Sequence, residues 1–244
     1  MPTVSQKYEV ELIKKEPAAK DSSSFYFQRP QQFDFLPGQF MRLSLTIPEP
    51  DERGNSRFFS IASSPTEKDF LMITTRADHS AYKKTLFSLA SGTKVSLTAP
   101  YGVFILKPEE TTPHVFLAGG IGITPFRSMI RYAADMKINI PITLFTSFRS
   151  FEDIVFQKEL AGIAKEYSWF KLVETITQPE ASKSPWLGNV GRIDTDLIKK
   201  HVSVFSTSLF YIAGPPAMVD SMEDLLKSLG INELQIRKEK FTGY

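Results

Sequence analysis

The stretch His114-Val115-Phe116-Leu117-Ala118-Gly119-Gly120-Ile121-Gly122-Ile123-Thr124-Pro125 constrains the fold more than any other part of this chain. An apolar run of strand type ends in three glycines among four residues and then opens a segment of helical character. Glycine lets a backbone turn sharply and lets a ligand approach the main chain with no Cβ in the way. The N–H groups at the start of the following helix then point at an anion. Thr124 is a candidate cap for that helix, and Pro125 suits its first position, where no N–H is needed. Such a turn is either a plain strand–helix connection or a phosphate cradle. Four further segments favour the cradle.

The two sides of this stretch differ in rhythm. Up to about residue 110 the chain reads as short strands broken by turns, at Tyr8–Leu12, Ser24–Arg29, Gln39–Ile47, Phe70–Arg76 and Lys94–Thr98, with one helix at Ala81–Ala90. Many short strands with a single helix predict a small antiparallel β-barrel. After Pro113 strands are predicted at 114–118, 142–148, 169–176, 208–213 and 235–241. Helices are predicted near 125–136, 152–167, 194–201 and 216–229. This alternation predicts a five-stranded parallel sheet in an α/β domain of Rossmann type, with ligands at the carboxyl ends of the strands. The polar run Lys107-Pro108-Glu109-Glu110-Thr111-Thr112-Pro113 marks the boundary, giving domains 1–110 and 111–244.

A chain of 244 residues is long enough for two compact domains. Its net charge of +2 gives no basic footprint of nucleic-acid binding. Cysteine is absent, which excludes disulfides, cysteine-ligated zinc and a cysteine-ligated iron–sulfur cluster within these residues and fits a reducing compartment. The first residues lack the apolar core of a signal peptide, and no apolar run approaches the roughly 20 residues that span a bilayer. The expectation is a cytoplasmic chain with no membrane span.

Four segments carry chemistry. In Arg57-Phe58-Phe59-Ser60-Ile61-Ala62-Ser63-Ser64-Pro65, an extended backbone puts Arg57 and Phe59 on one face and Phe58 and Ser60 on the other. Met72-Ile73-Thr74-Thr75-Arg76 is followed by Ser80-Ala81-Tyr82-Lys83 at a helix start, where Ser80 can cap and Lys83 can attract an anion. Leu144-Phe145-Thr146-Ser147-Phe148-Arg149-Ser150 ends the second strand after the cradle with hydroxyls and Arg149 and no acid. That pattern suits the 2′-phosphate of NADP better than the free ribose of NAD, unless Arg149 is a plain loop residue. Tyr211-Ile212-Ala213-Gly214-Pro215-Pro216-Ala217-Met218 is a second strand–glycine–helix edge, or merely a proline-initiated helix.

In this order and spacing, Arg-x-x-Ser, Gly-Gly-Ile-Gly-Ile-Thr-Pro and Gly-Pro-Pro-x-Met resemble the ferredoxin–NADP reductase family of flavoproteins, from Leu36-Pro37-Gly38-Gln39-Phe40 to Glu239-Lys240-Phe241. The resemblance implies a Greek-key barrel that binds FAD and a C-terminal domain that binds NADP, with NAD possible. It implies flavin contacts from Arg57, Phe58 and Ser60, with Phe59 near the ring. Thr74, Thr75 and Arg76 would line the flavin, and Ser80, Ala81, Tyr82 and Lys83 would hold its pyrophosphate. Gly119, Gly120, Gly122, Ile123, Thr124, Pro125, Arg149, Gly214, Pro215 and Met218 would hold the nicotinamide nucleotide. Ser60, Glu239 and Phe241 would serve catalysis, with Phe241 or Tyr244 covering the flavin and Phe241 favoured by the motif. Ala213 stands where many relatives carry a cysteine.

The activity so implied is hydride transfer from NAD(P)H to the flavin N5, then passage of electrons to a carrier protein such as ferredoxin, flavodoxin or another iron–sulfur protein. An electron-transfer subunit of a larger enzyme, or a non-catalytic flavin-binding sensor module, are the competing readings.

Overall fold

A computed structural model describes residues 4–242. The first six strands are β1 (Gln6–Ala19), β2 (Ser22–Gln28), β3 (Phe40–Ser44), β4 (Ser56–Ser60), β5 (Phe70–Arg76) and β6 (Lys94–Tyr101). They form one antiparallel sheet in the order β4-β3-β6-β1-β2-β5. β1 is long enough to serve two partners: Gln6 to Glu11 pair with β6, and Leu12 to Ala19 pair with β2. The two edges meet where Ala62, just past β4, donates to the Met72 carbonyl of β5 at 2.8 Å, which curls the sheet into a barrel. Alternate residues fill it, among them Val10, Leu12, Phe25, Phe27, Met41, Leu43 and Leu97. Helix α1 (Ala81–Ser88) closes one end with Tyr82 and Leu86, four residues apart on one face.

The second sheet is parallel: β7 (His114–Gly119), β8 (Ile142–Phe148), β9 (Phe170–Ile176), β10 (Asn189–Val190), β11 (Leu209–Gly214) and β12 (Ile236–Lys240). Its order is β10-β9-β8-β7-β11-β12, six strands rather than the expected five. The extra strand is two residues on the sheet edge, too short to leave a periodic signal. Helices α2 (Thr124–Asp135), α3 (Gln157–Glu166), α4 (Thr195–His201) and α5 (Pro216–Ser228) connect the strands. Along β7, Phe116 and Ala118 enter one apolar layer while Val115 and Leu117 enter the other, so both faces are covered.

The helix expected over 152–167 begins only at Gln157. Residues Phe151–Asp153 form a short 3-10 turn, and Phe156 takes the left-handed conformation at φ 61°, which no continuous helix allows. The chain runs outward from β7 to β10 and then returns to β11 on the other side of β7. A crevice therefore opens between the carboxyl ends of β7 and β11, where Gly119 and Gly214 lie.

Candidate active site

Two clefts meet above this crevice. The first, about 640 Å³, lies against the barrel and is lined by Arg57, Phe58, Phe59, Ser60, Thr74 and Lys83 from the first sheet and its helix, and by Thr124, Glu239 and Phe241 from the second half. The second, about 330 Å³, is lined by Gly119, Gly120, Arg149, Pro215, Met218, Phe241 and, from the barrel, Arg76. Phe241 borders both and is fixed at its backbone, where its N–H donates to the Gly214 carbonyl at 2.9 Å.

Cations dominate the first cleft, and burial shapes their chemistry. Arg57 donates from Nη1 to the carbonyls of Arg53, Gly54 and Ser56, and from Nη2 to Asp51 at 3.2 Å. Its guanidinium lies 4.9 Å over the Tyr82 ring, and its Nε is buried without a protein partner. Lys83 is buried, bonds Thr75 Oγ1 and the Arg76 carbonyl, and stands 5.2 Å over the Phe59 ring. Burial lowers its pKa to about 8, with Asp78 opposing the shift. Across the cleft, burial raises the Glu239 carboxyl to about 7, against a hydrogen bond from the Ser60 hydroxyl. Glu239 Oε2 is enclosed without a partner. An orphaned donor and an orphaned acceptor in one cation-lined cleft fit a polar, anionic ligand with an aromatic body.

Several expected contacts do not reach a cleft. Tyr82 is a core residue, fully buried, with its hydroxyl donating to the Leu43 carbonyl at 3.0 Å. Ser80 does cap α1, accepting from the Lys83 N–H at 3.2 Å, but its hydroxyl donates to Asp78. The Ala81 N–H donates to Asp51 at 3.0 Å. The start of α1 is thus satisfied by the chain's own carboxylates, and only Lys83 faces the cleft. Thr75 is fully buried beneath Lys83. Phe59, expected beside the flavin ring, does line the first cleft, though it is 6% exposed and packs mainly in the barrel core, whereas Phe58 is 62% exposed and stands edge-on to Phe40 and Tyr101.

The glycine turn is also divided in its roles. Gly120, at φ +51°, faces open space, but a Cβ on Gly122 would lie 2.3 Å from the Ala213 carbonyl oxygen. Gly122 therefore serves the close packing of the turn on β11, and Ile123 and Pro125 are buried in the core rather than exposed to a ligand. Thr124 does not cap α2. A 3-10 turn over Gly120–Ile123 runs straight into the helix, so Ile123 takes the cap position in helical geometry and Thr124 donates back to the Ile121 carbonyl at 3.0 Å. Gly214 backs onto Gly119 and lines neither cleft. Tyr244 lies outside the described residues.

Residues not singled out from the sequence complete both clefts, Arg53 and Tyr101 in the first and Asp153 and Thr177 in the second, while Ser147 supplies one of the hydroxyls noted at the end of the second strand. Thr177 follows β9 as Arg149 follows β8, so the rule that ligands sit at carboxyl strand ends reaches it too. Arg149 is exposed and shares Gln178 Oε1 through Nη2 at 3.2 Å.

A barrel with a cation-lined cleft thus lies beside the switch-point crevice of a parallel sheet, and one aromatic borders both. Residues 116–224 match the family model for an oxidoreductase NAD-binding domain. The reductase component of propane 2-monooxygenase from Mycolicibacterium goodii is 26% identical over 243 residues, covering 98% of this chain and 68% of that protein. In fold, the chain resembles the cytochrome P450 reductase GcoB of Amycolatopsis, with TM-score 0.84, 23% identity and coverage of 98% and 71% of the two chains. It also resembles a ferredoxin NADP+ reductase from Neisseria gonorrhoeae with bound FAD and NADP, with TM-score 0.78, 22% identity and coverage of 96% and 98%. Over nearly its whole length the chain is thus similar to reductase components of oxygenases, and it shares the fold of a ferredoxin NADP+ reductase. It spans 59–68% of the length of curated relatives such as the Mycolicibacterium goodii protein and the glycine betaine monooxygenase reductase subunit of Chromohalobacter salexigens. Among the described residues, no helix is long and apolar enough to cross a membrane.

Proposed function

We propose that this chain oxidises NADPH and hands the electrons singly to a carrier protein, with residues 1–110 holding FAD and 111–244 holding the nicotinamide nucleotide. The observation that carries this reading is that Phe241 borders both clefts, so a ring in one is separated from a ring in the other by a single side chain. FAD supplies hydride acceptance at N5 and release of electrons one at a time.

The protein's own groups bind, orient and hold protons. Arg57 and Lys83 balance the charge of the flavin's phosphates and ring, and the unpartnered Arg57 Nε is a ready donor to them. Ser60 and Glu239 both line the barrel-side cleft, and a carboxyl with a pKa of about 7 can hold or release a proton at neutral pH. With FAD bound, Phe241 would cover the ring and would have to move aside for the nicotinamide. Arg149 takes the 2′-phosphate, which favours NADPH over NADH. With no cysteine in these 244 residues, the one-electron carrier lies outside them: a ferredoxin, a flavodoxin or another iron–sulfur protein, met in the cytoplasm. The junction of two clefts favours turnover over a module that only stores flavin.

The test is to purify the chain, record its visible spectrum and mix it with NADPH or NADH without oxygen. The expected result is bound FAD that bleaches faster with NADPH. Bound flavin that neither nucleotide bleaches would overturn the reading.

A further inference from the structure

Arg127, on the first turns of α2, is the most fully bonded side chain between the two halves. Its Nε donates to Glu159 Oε2 at 3.0 Å. Nη1 donates to the Ala62 carbonyl at 3.0 Å and to Glu67 Oε2 at 2.5 Å. Nη2 donates to Glu67 Oε1 at 3.0 Å and Glu159 Oε1 at 2.8 Å. All five guanidinium N–H bonds are therefore used, on a side chain 8% exposed. One residue on, Ser128 donates to the Ser63 carbonyl at 2.7 Å. Glu67 in turn accepts from the Ser64 N–H at 2.7 Å, closing the loop on itself.

The place of these bonds gives them meaning. Ala62 and Ser63 follow Ser60 by two and three residues, and Arg127 follows Thr124 by three. Ser60 and Thr124 both line the first cleft, one from each half. The clamp thus ties the strand end that carries Ser60 to the helix start that carries Thr124. A buried ion-pair network is a weak source of net stability, because desolvation offsets the attraction; its best-attested use is to fix register. Lysine could keep the charge but not five bonds in a plane.

We infer that Arg127 is a positioning residue that sets the spacing between the two cofactor sites, acting through the Ala62–Ser64 backbone on Ser60. The inference rests on the proposed two-cofactor reading. Transfer between bound groups is steep in distance: a misplacement of about 1 Å far from the chemistry costs on the order of a hundredfold.

The test uses the flavin-loaded chain with Arg127→Lys, Ser128→Ala and Glu159→Gln. The first two touch the barrel directly; the third removes a partner on α3 and leaves the barrel contacts in place. The limiting rate of flavin bleaching is expected to fall about tenfold or more in Arg127→Lys and less in Ser128→Ala. The NADPH dissociation constant and flavin occupancy should stay within about threefold of the parent, a split that loss of binding alone does not give. Hydrogen exchange of the peptide 60–67, read without flavin or nucleotide, should speed up in both and not in Glu159→Gln. Unchanged exchange in the first two variants, or an equal rate loss in Glu159→Gln, would overturn the inference. If the parent chain does not bleach at all, the proposed function fails while the exchange measurement still decides whether Arg127 ties residues 60–67 to α2.

Discussion

The two clefts are built from different materials. The barrel-side cleft is made of long side chains, Arg57, Lys83 and Glu239, whose charges are partly met by their own neighbours. The sheet-side cleft is floored by backbone at Gly119 and Gly120, and behind that floor a Cβ on Gly122 would lie 2.3 Å from the Ala213 carbonyl oxygen. Side-chain sites tolerate substitution in proportion to the bonds lost. Backbone sites fail by collision, whatever the ligand.

That contrast can be broken most severely at Gly122. In Gly122→Ala the new Cβ has only the Ala213 and Gly214 backbone to push against, so overpacking should cost roughly 1–3 kcal/mol or more and lower the melting temperature of the chain before any cofactor is added. Next is Arg57→Ala, which removes a charged donor from the barrel cleft. Flavin affinity should weaken about 10- to 100-fold, as measured by equilibrium dialysis, with the fold retained. Smaller still, Arg149→Ala should raise the KM for NADPH about tenfold and leave that for NADH unchanged; an equal effect on both would remove the 2′-phosphate role.

The smallest effect is one of pH. Glu239 has a folded pKa near 7, above its ordinary carboxylate value, so between those two values the folded chain holds a proton that the unfolded chain has released. Its contribution is therefore favourable at low pH and is lost as pH rises through that window. The flavin-free chain should unfold at lower urea concentration at pH 8 than at pH 5, and Glu239→Gln should flatten the difference.

Much of the frame was legible because periodicity is a local property. Strands β5 and β8 fall on the residues their patterns mark, and the Gly119–Gly122 turn lies at the strand–helix junction it suggests. The errors share one cause, which is that packing partners distant in sequence decide what a local motif does. Ser80-Ala81-Tyr82-Lys83 reads as an anion site, yet the barrel claims Tyr82 and the distant Asp51 claims the Ala81 N–H. Arg-Phe-Phe-Ser does not reveal which phenylalanine the barrel buries. Nothing local to Arg127 announces that it bonds residues 60 and 65 positions away.

On the proposed reading, the two clefts that share Phe241 as a wall act as one path for hydride transfer. The most direct test is the rate of anaerobic flavin bleaching with NADPH deuterated on either face of the nicotinamide C4. A path with one fixed docking geometry predicts slower bleaching for one deuterated face and not for the other. Bleaching at the same rate with both, or none with either, would contradict it.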